Sequence, residues 1–132
     1  MHRISKTDYY LDMAAQAAKR STCLRRQYGA VIVKDDRVVS TGYNGSCRGD
    51  ENCCDVGQCY RASLDIPHGE RYELCKAVHA EMNAIISAAP DDMVGATLYL
   101  SGFEDGERMP DPEPCLMCKR AIANAQIGMV VC

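Results

Sequence analysis

Long apolar runs are missing from this sequence. No hydrophobic stretch approaches the roughly 18 residues that a membrane-spanning helix requires, so we expect no association with membranes. The N-terminal segment MHRISKTDYYLDM has no apolar core of the kind found in secretory signals. These features favour a cytoplasmic protein. Repeats and low-complexity tracts are also missing, and the 132 residues are predicted to form one domain, 1–132, with one substantial core.

A basic excess is missing as well. The chain carries 15 Lys and Arg residues against 18 Asp and Glu residues, which gives a net charge of −3. Surfaces that bind polynucleotides usually show a clear positive excess, so this balance argues against a nucleic-acid partner. One local exception is KRSTCLRR (19–26), in which four cations lie close together. This cluster fits either a solvated helix end or a small site for one phosphate group.

Cysteine, in contrast, is abundant. The chain has nine cysteines, an odd number that does not suit a closed disulfide framework. Clustered cysteines in a chain without an export signal more often indicate metal binding or catalysis. Five of the nine lie within 47–75, inside a polar stretch that we interpret as a Cys-rich insertion at about 44–75. A structureless loop of that length is uncommon in a compact domain unless something, such as a metal, orders it.

The hydrophobic periodicity predicts alternating helices and strands. In chain order we expect a helix over 8–20, two strands of a hairpin within 29–43, a helix over 79–90, a strand over 96–101, a helix over 114–125 and a strand over 127–132. Such alternation predicts an α/β domain in which helices pack on one sheet.

Several element boundaries carry specific expectations. Thr7 or Asp8 is a plausible N-cap of the first helix, and Pro90 is expected to end the second. Pro114 is expected in the first turn of the third helix. We also expect an apolar stripe on the second helix, formed by Met82, Ile85, Ile86 and Ala89.

The stretch HAEMNAI (79–85) places a histidine and a glutamate two residues apart in an apolar helix. Residues i and i+2 point away from each other around a helix, so His79 and Glu81 can converge only on something beyond the helix end. Downstream, PEPCLMC places Cys115 and Cys118 three residues apart at another helix start, where the dipole favours thiolates. One imidazole and two thiolates make three zinc ligands and leave the fourth tetrahedral position for water.

A nearby base would complete this site, and Glu81 is in place to accept a proton. Alone, C-x-x-C could equally be half of a structural zinc site or a redox pair, and His-x-Glu is a weak signal. Together, each at a helix start and separated by one strand, they predict a catalytic zinc site. H-x-E with a downstream P-C-x-x-C is also the signature of zinc-dependent nucleobase deaminases.

Three stretches resemble the deoxycytidylate (dCMP) deaminase family of the cytidine-deaminase-like fold. They are CLRRQYGAVIVKDDRVVSTGYNGSCRG, HGERYELCKAVHAEMNAI and PEPCLMCKRAIANAQI, and the similarity covers roughly residues 5–131. The resemblance implies a three-layer αβα fold with a mixed central sheet. It also implies that His79, Cys115 and Cys118 hold zinc, and that Glu81 moves protons to the ring nitrogen and the departing amine.

The resemblance further implies residues that bind a small-molecule nucleotide. The backbone of Ala80 would contact the pyrimidine edge, and Asn44 would hydrogen-bond the sugar, although YNG alone reads as a simple turn. Arg26 and Arg48 are candidates for the phosphate because arginine suits bidentate contact, but either could equally form a structural ion pair.

Some relatives carry an additional structural zinc, and the resemblance suggests one here. Its candidate ligands are Cys23, Cys53, Cys59 and Cys75, with Cys54 and His68 as competitors. The alternative is that these thiols bind nothing. A structural zinc would explain how the polar insertion stays ordered.

The predicted reaction is therefore the hydrolytic deamination of a cytosine nucleotide, most simply dCMP to dUMP with release of ammonia. One alternative keeps the chemistry but changes the substrate to a nucleic-acid base or another aminated ring. Another is a non-catalytic, zinc-stabilised binding module, against which the intact Glu81 argues. A homo-oligomer is expected, because the fold often self-associates and an exposed sheet edge would favour pairing.

Overall fold

The computed structural model describes residues 1–67 and 74–132. The elements in chain order are α1 (Lys6–Ala18), β1 (Arg26–Lys34), β2 (Arg37–Tyr43), β3 (Gly45–Ser46), α2 (Cys53–Val56), α3 (Tyr60–Ser63), β4 (Ala77–Val78), α4 (Ala80–Ser87), α5 (Pro90–Met93), β5 (Thr97–Glu104), β6 (Glu107–Arg108), α6 (Leu116–Asn124) and β7 (Met129–Val131). None of the helices in these ranges combines the length and the apolar character that a bilayer crossing requires.

The main sheet has five strands and is mixed. Its order is β2-β1-β5-β6 with antiparallel neighbours, and β7 adds to β5 in parallel. The predicted mixed sheet is thus confirmed. The hairpin predicted within 29–43 is also confirmed, with Asp35 and Asp36 at its turn. Both residues have positive φ angles, 52° and 59°, as the two-residue turns that suit the twist of a hairpin require.

Helices cover both faces of the sheet, which confirms the three-layer αβα prediction. Alternate residues of a strand point to opposite faces, and the two buried clusters divide accordingly. On one face, Val31 and Val33 pack against Tyr10 and Ala14 of α1. On the other face lies the larger cluster, which includes Ala30, Ile32, Leu98 and Leu100 of the sheet, Ala80 and Ala84 of α4, and Ile122 of α6.

Helix α1 begins earlier than the sequence pattern indicates. Ser5 is its N-cap, and the Ser5 hydroxyl accepts a hydrogen bond from the Asp8 N–H at 3.1 Å. The prediction that Thr7 or Asp8 caps this helix is therefore wrong, because both residues lie inside it. The serine satisfies an amide group that would otherwise lack a partner in the first turn.

Helix α4 ends before Pro90 and buries a different stripe from the one predicted. Ala88 and Ala89 have extended backbones, and Pro90 begins the short helix α5 instead of ending α4. Ile86 is 75% exposed, whereas Ala80, Glu81 and Ala84 are buried. The predicted stripe is wrong for Ile86 and Ala89, which are exposed, and is confirmed for Ile85, which packs against the larger buried cluster. The small residues Ala80 and Ala84 form the face of α4 that packs most closely on the sheet.

One further prediction needs correction. Pro114 precedes α6 and is not in its first turn, since Cys115 is the N-cap. Residues 44–67, within the predicted insertion, contain β3 and the short helices α2 and α3. β3 pairs with β4, which leads directly into His79. The short strands β3, β4 and β6 have no counterpart among the predicted elements.

Candidate active site and metal centre

The N-terminal ends of α4 and α6 meet at one place and carry the predicted site residues. His79 is the N-cap residue of α4 with an extended backbone, and Glu81 follows in the first turn. Cys115 is the N-cap of α6, and its sulfur accepts a hydrogen bond from the Cys118 N–H at 3.4 Å. His79 lies outside the helical turn, which explains how its side chain and that of Glu81 can reach the same place.

His79, Cys115 and Cys118 form a compact set of potential metal ligands. Nδ1 of His79 lies 3.5 Å from Sγ of Cys115 and 3.3 Å from Sγ of Cys118. All three ligand atoms lie within 4.8 Å of one another. Tetrahedral zinc, with Zn–S of about 2.3 Å and Zn–N of about 2.0–2.1 Å, separates nitrogen and sulfur by about 3.5 Å. The donor atoms therefore fit zinc in both type and spacing.

Glu81 is buried beside this cluster. Its exposed fraction is 5%, and burial raises the pKa of its carboxyl group above the ordinary value. Hydrogen bonding to its backbone and to Cys118, together with the charge of His79, lowers the pKa in part. A carboxyl group with a raised pKa holds a proton more readily than an exposed one, which suits a group that must both accept and return a proton.

The pKa of the Cys118 thiol is raised, although the helix dipole was expected to lower it and favour the thiolate. Cys118 is 1% exposed, and burial raises the pKa of the thiol, with the Glu81 carboxylate raising it further. In the metal-free protein, desolvation therefore outweighs the favourable end of the helix. A bound cation would supply the positive charge that the thiolate needs.

Asn44 is placed differently from a simple turn residue. It is 7% exposed, its Oδ1 accepts from the Tyr28 N–H at 2.8 Å, and its Nδ2 donates to the Arg26 carbonyl at 2.9 Å. The side chain thus fastens the end of β2 to the beginning of β1. Contact with a sugar stays a prediction for this residue.

The two candidate phosphate ligands differ in their surroundings. Nε of Arg26 lies 3.3 Å from the Glu104 carboxylate, so the ion pair that the sequence allowed is present. Arg48 is exposed in the turn that follows β3. Phosphate contact by either arginine stays a prediction.

Three of the candidate ligands of a second metal lie within electrostatic range of the fourth, Cys23. Burial raises the pKa of Cys23 to about 12, and the charges of Cys75, Cys53 and Cys59 contribute to the rise. Within residues 1–67 and 74–132, however, these sulfurs do not form a set as compact as the His79 cluster. Cys54 is exposed, and His68 lies outside the described residues. A four-thiolate site therefore stays a prediction.

Sequence patterning does not identify two residues near the site. Cys132 lies within electrostatic range of Glu81, since burial and the charges of Glu113 and Glu81 raise the pKa of its thiol. Asn83 of α4 donates from Nδ2 to the Tyr43 carbonyl at 2.8 Å. The sequence signal that could have pointed to Asn83 is its own polarity, since it lies among apolar residues in the second half of HAEMNAI.

Comparisons with known proteins agree with this geometry. The deoxycytidylate deaminase of Mycobacterium phage D29 is 39% identical over 135 residues, which cover 99% of this chain and 96% of that protein. The deoxycytidylate deaminase of Schizosaccharomyces pombe is 38% identical over 98% of this chain, but the match spans only 37% of the yeast protein. The crystal structure of dCMP deaminase from cyanophage S-TIM5 superposes with a TM-score of 0.66 at 22% identity, covering 98% of this chain and 82% of that one.

A family model covers almost the entire chain. Residues 4–132 match the model described as the cytidine and deoxycytidylate deaminase zinc-binding region. The match includes the two helix starts that carry the compact His/Cys/Cys cluster. From its sequence, its fold and the donor set of its candidate metal site, this chain belongs to the family of zinc-dependent cytidine and deoxycytidylate deaminases.

Proposed function

We propose that this protein hydrolyses dCMP to dUMP and ammonia at the site formed by the starts of α4 and α6. The observation that carries the proposal is the buried carboxyl group of Glu81 beside three donor atoms with the spacing of zinc ligands. The phage D29 relative, named a deoxycytidylate deaminase, matches this chain over nearly its full length. The cyanophage S-TIM5 enzyme has been crystallised with dCMP and dUMP.

His79, Cys115 and Cys118 would hold the zinc ion. When bound, zinc would act as a Lewis acid that lowers the pKa of a water molecule in the open fourth position. The two thiolates would neutralise the ion's charge, which makes a protein base more important than at an all-histidine site. Glu81 is the titratable carboxyl group buried beside the cluster, and it supplies that base.

Glu81 would move two protons during the reaction. It would first take a proton from the attacking water and give it to N3 of the cytosine ring, as the C4–O bond forms. It would then transfer the second proton of the water to the amino group, which leaves C4 as ammonia and leaves a carbonyl oxygen on the ring. Burial of the Glu81 carboxyl favours its neutral form at each stage and so helps it to hold the proton between transfers.

Residues around β1 and β3 would bind the nucleotide. The side-chain amide nitrogen of Asn44, Nδ2, carries two hydrogens and uses one of them to donate to the Arg26 carbonyl. With the other hydrogen, Nδ2 would donate to the sugar. The side chain of Arg26 is 39% exposed and so is accessible to a phosphate group, which would compete with Glu104. The Ala80 backbone, between His79 and Glu81, would contact the base.

We also propose a second, structural zinc held by Cys23, Cys53, Cys59 and Cys75. Support comes from the charges of Cys75, Cys53 and Cys59, each of which contributes to the raised pKa of the Cys23 thiol. It also comes from a backbone hydrogen bond, Cys54 N–H to the Thr22 carbonyl at 3.0 Å, which fastens α2 beside Cys23. Four thiolates would form a closed site without catalytic water.

Three broader expectations accompany this proposal. Residues 1–132 would act as one deaminase domain with a Cys-rich insertion at about 44–75. The cytoplasmic location and the homo-oligomer stay predictions from the sequence.

The test is ammonia release by zinc-loaded protein from dCMP, deoxycytidine, CMP and a cytosine-containing oligonucleotide. We expect turnover of dCMP and little or none of the others. The matched control is Glu81→Gln, which keeps the size of the side chain and removes its acid–base function. This variant should retain zinc and lose roughly 10²- to 10⁴-fold in rate.

Each other outcome points to a different function. Turnover of the oligonucleotide or deoxycytidine in preference to dCMP would replace the substrate and keep the chemistry. Zinc-loaded protein that deaminates none of the four compounds would contradict the proposal, and other aminated rings would then be tested. Turnover that survives in Glu81→Gln would contradict the role assigned to the carboxyl group.

A further inference from the structure

Helix α4 approaches strand β2 so closely that only glycine fits at position 42. A Cβ atom added to Gly42 would overlap the Ala80 carbonyl oxygen and would lie 2.5 Å from the Ala84 nitrogen. These are backbone atoms, so no side-chain rotation could relieve the overlap. Ala80 lies between His79 and Glu81, and the point of closest approach is therefore the first turn of α4.

Two hydrogen bonds hold α4 in the same position. Asn83 donates from Nδ2 to the Tyr43 carbonyl at 2.8 Å, and the buried hydroxyl of Ser40 donates to the Ala84 carbonyl at 2.7 Å. Within residues 1–67 and 74–132, no side-chain hydrogen bond caps the beginning of α4. Because α4 has only eight residues, its placement depends on these contacts with β2 and on the packing of Ala80 and Ala84.

The candidate metal site is divided between two elements. His79 and Glu81 lie at the start of α4, whereas Cys115 and Cys118 lie at the start of α6. The separation between the two halves is set by how far α4 lies from the sheet. Metal–ligand distances tolerate only about 0.2 Å of deviation, so a shift of α4 by a fraction of an ångström would matter.

We propose that Gly42, together with Asn83, is a positioning residue that sets the distance of the first turn of α4 from the sheet. It thereby aligns His79 with the two thiols and Glu81 with the substrate. The proposal rests on the proposed function. A side chain at position 42 would have to push Ala80 outward, and both neighbours of Ala80 in the site would move with it.

The test compares Gly42→Ala with Gly29→Ala. A Cβ on Gly29 would overlap the Ala14 carbonyl oxygen and would lie 2.5 Å from the Ala18 nitrogen. Gly29 therefore has the same kind of close approach on the opposite face of the sheet, against α1. That helix contains none of the proposed site residues, so Gly29→Ala should lower stability without changing the site.

Two properties are measured for each variant. Titration with Co²⁺, followed by its thiolate charge-transfer absorption, reports metal affinity without any turnover, and each variant is made in a Cys75→Ser background so that the proposed four-thiolate site does not contribute. Steady-state kinetics of the zinc-loaded protein give kcat and KM for dCMP. For Gly42→Ala we expect metal affinity and kcat each to fall by about 10- to 100-fold, with the smaller change in KM. Gly29→Ala should have a lower Tm and wild-type metal affinity and kcat.

A folded Gly42→Ala variant with wild-type metal affinity and kcat would overturn the proposal. If either glycine variant does not fold, the proposal is tested by comparing Asn83→Ala with its control Ser101→Ala. Ser101 is 3% exposed and donates to the Leu11 carbonyl at 2.7 Å, so it provides an equivalent hydrogen bond to α1. Loss of metal affinity in Asn83→Ala alone supports the proposal, whereas equal effects or none in the two variants overturn it.

Failure of the proposed function would look different. In that case the wild-type protein itself would bind no Co²⁺ or would not deaminate dCMP. A wild-type protein that does both, beside a Gly42→Ala variant that does both equally well, would reject only the positioning role.

Discussion

Nδ1 of His79 lies 3.3 Å from Sγ of Cys118, although 39 positions separate the two residues in the chain. The contact exists because α4 and α6 pack on the same face of the sheet, with Ala80, Ala84 and Ile122 in one buried cluster. Both helix starts then lie at the same end of that layer. The metal site is therefore a product of the folded domain and not of either motif alone.

The first prediction concerns the pH dependence of metal binding. Burial and the Glu81 carboxylate raise the pKa of the Cys118 thiol, so this group is protonated in the metal-free protein at neutral pH. Because zinc binds the thiolate, uptake of the metal must release this proton. We expect metal affinity to rise between pH 6 and pH 8, by up to about tenfold per pH unit for each proton released.

Competition with a chromophoric chelator at several pH values measures this affinity. Calorimetry in buffers of different ionisation enthalpy counts the protons directly. The control is Cys118→Ser, which should bind the metal weakly at the His79 site at every pH. An affinity that does not change across this range would contradict the assignment of Cys118 as a ligand.

The second prediction is that Glu81→Gln stabilises the metal-free protein. Burial raises the pKa of Glu81, so the folded state penalises the ionised carboxylate relative to the unfolded chain. Below the unfolded pKa of about 4.3, both states are protonated and no penalty exists. The penalty grows as the pH rises through the unfolded pKa and becomes constant above the folded pKa. Glutamine has no charge to bury.

Thermal unfolding of the chelator-treated protein tests this prediction. Glu81→Gln should have the higher Tm at pH 7, and the difference should vanish near pH 4. Glu113 is an exposed control whose carboxylate lies 4.0 Å from Nζ of Lys119. Glu113→Gln should leave Tm almost unchanged, as expected for a surface ion pair. A lower Tm for Glu81→Gln at pH 7 would show that the carboxylate is stabilising after all.

The third prediction is a count of bound metal. If Cys23, Cys53, Cys59 and Cys75 hold a structural zinc, native mass spectrometry should find two zinc ions per chain. Cys75→Ser should reduce the count to one and lower the Tm, because the insertion loses the ion that orders it. Cys47→Ser is the matched control, since Cys47 is an exposed cysteine of the same insertion. A wild-type count of one would contradict the second site.

The fold could be predicted well where a signal is local and repeated. The hairpin turn at Asp35 and Asp36 and the alternation of helices and strands are visible in the chain, and both are confirmed. The buried stripe of α4 could not be predicted in this way. It depends on Gly42, a glycine on a strand that the helix meets only in the folded state. Hydrophobicity favoured Ile86, but the close approach admits only the small side chains.

In the candidate site, too, some features have a local signal in the sequence and others depend on tertiary contacts. The metal ligands could be predicted because H-x-E together with P-C-x-x-C is a distinctive combination of residues. The structure brings these ligands, His79, Cys115 and Cys118, together. The strands β3 and β4 have two residues each, which is too short for any periodicity to reveal. Yet their pairing leads the chain into His79, and Asn83 fixes the helix that follows. Such tertiary contacts leave no pattern in the sequence.

The fourth prediction separates the two candidate phosphate ligands. Arg48→Ala should raise KM for dCMP by about tenfold or more and leave the KM for any residual deoxycytidine turnover unchanged, since only the nucleotide carries the phosphate. Arg26→Ala should raise KM similarly but also lower Tm slightly, because it removes the ion pair with Glu104. Arg37→Ala, an exposed arginine of β2, is the control. Equal effects on both substrates would contradict a phosphate contact.

The last prediction is that Asn44 supports the fold in addition to any contact with the substrate. Asn44→Ala would leave the Tyr28 N–H and the Arg26 carbonyl without their side-chain partners. Each lost partner of a buried group costs about 1–3 kcal/mol, so the free energy of unfolding should fall by about that amount or more. Chemical denaturation with an unchanged m-value measures it.

Asn52→Ala is the matched control for this change. Nδ2 of Asn52 donates to the Asp55 carboxylate at 3.1 Å in an exposed position, so its loss should cost less than about 0.5 kcal/mol. If Asn44 also contacts the sugar, KM for dCMP should rise in the fraction of Asn44→Ala that is folded, as measured well below its Tm. Wild-type stability in Asn44→Ala would contradict this prediction, because it would show that the two hydrogen bonds contribute nothing to the free energy of unfolding. Substrate binding would then be the remaining role for the side chain.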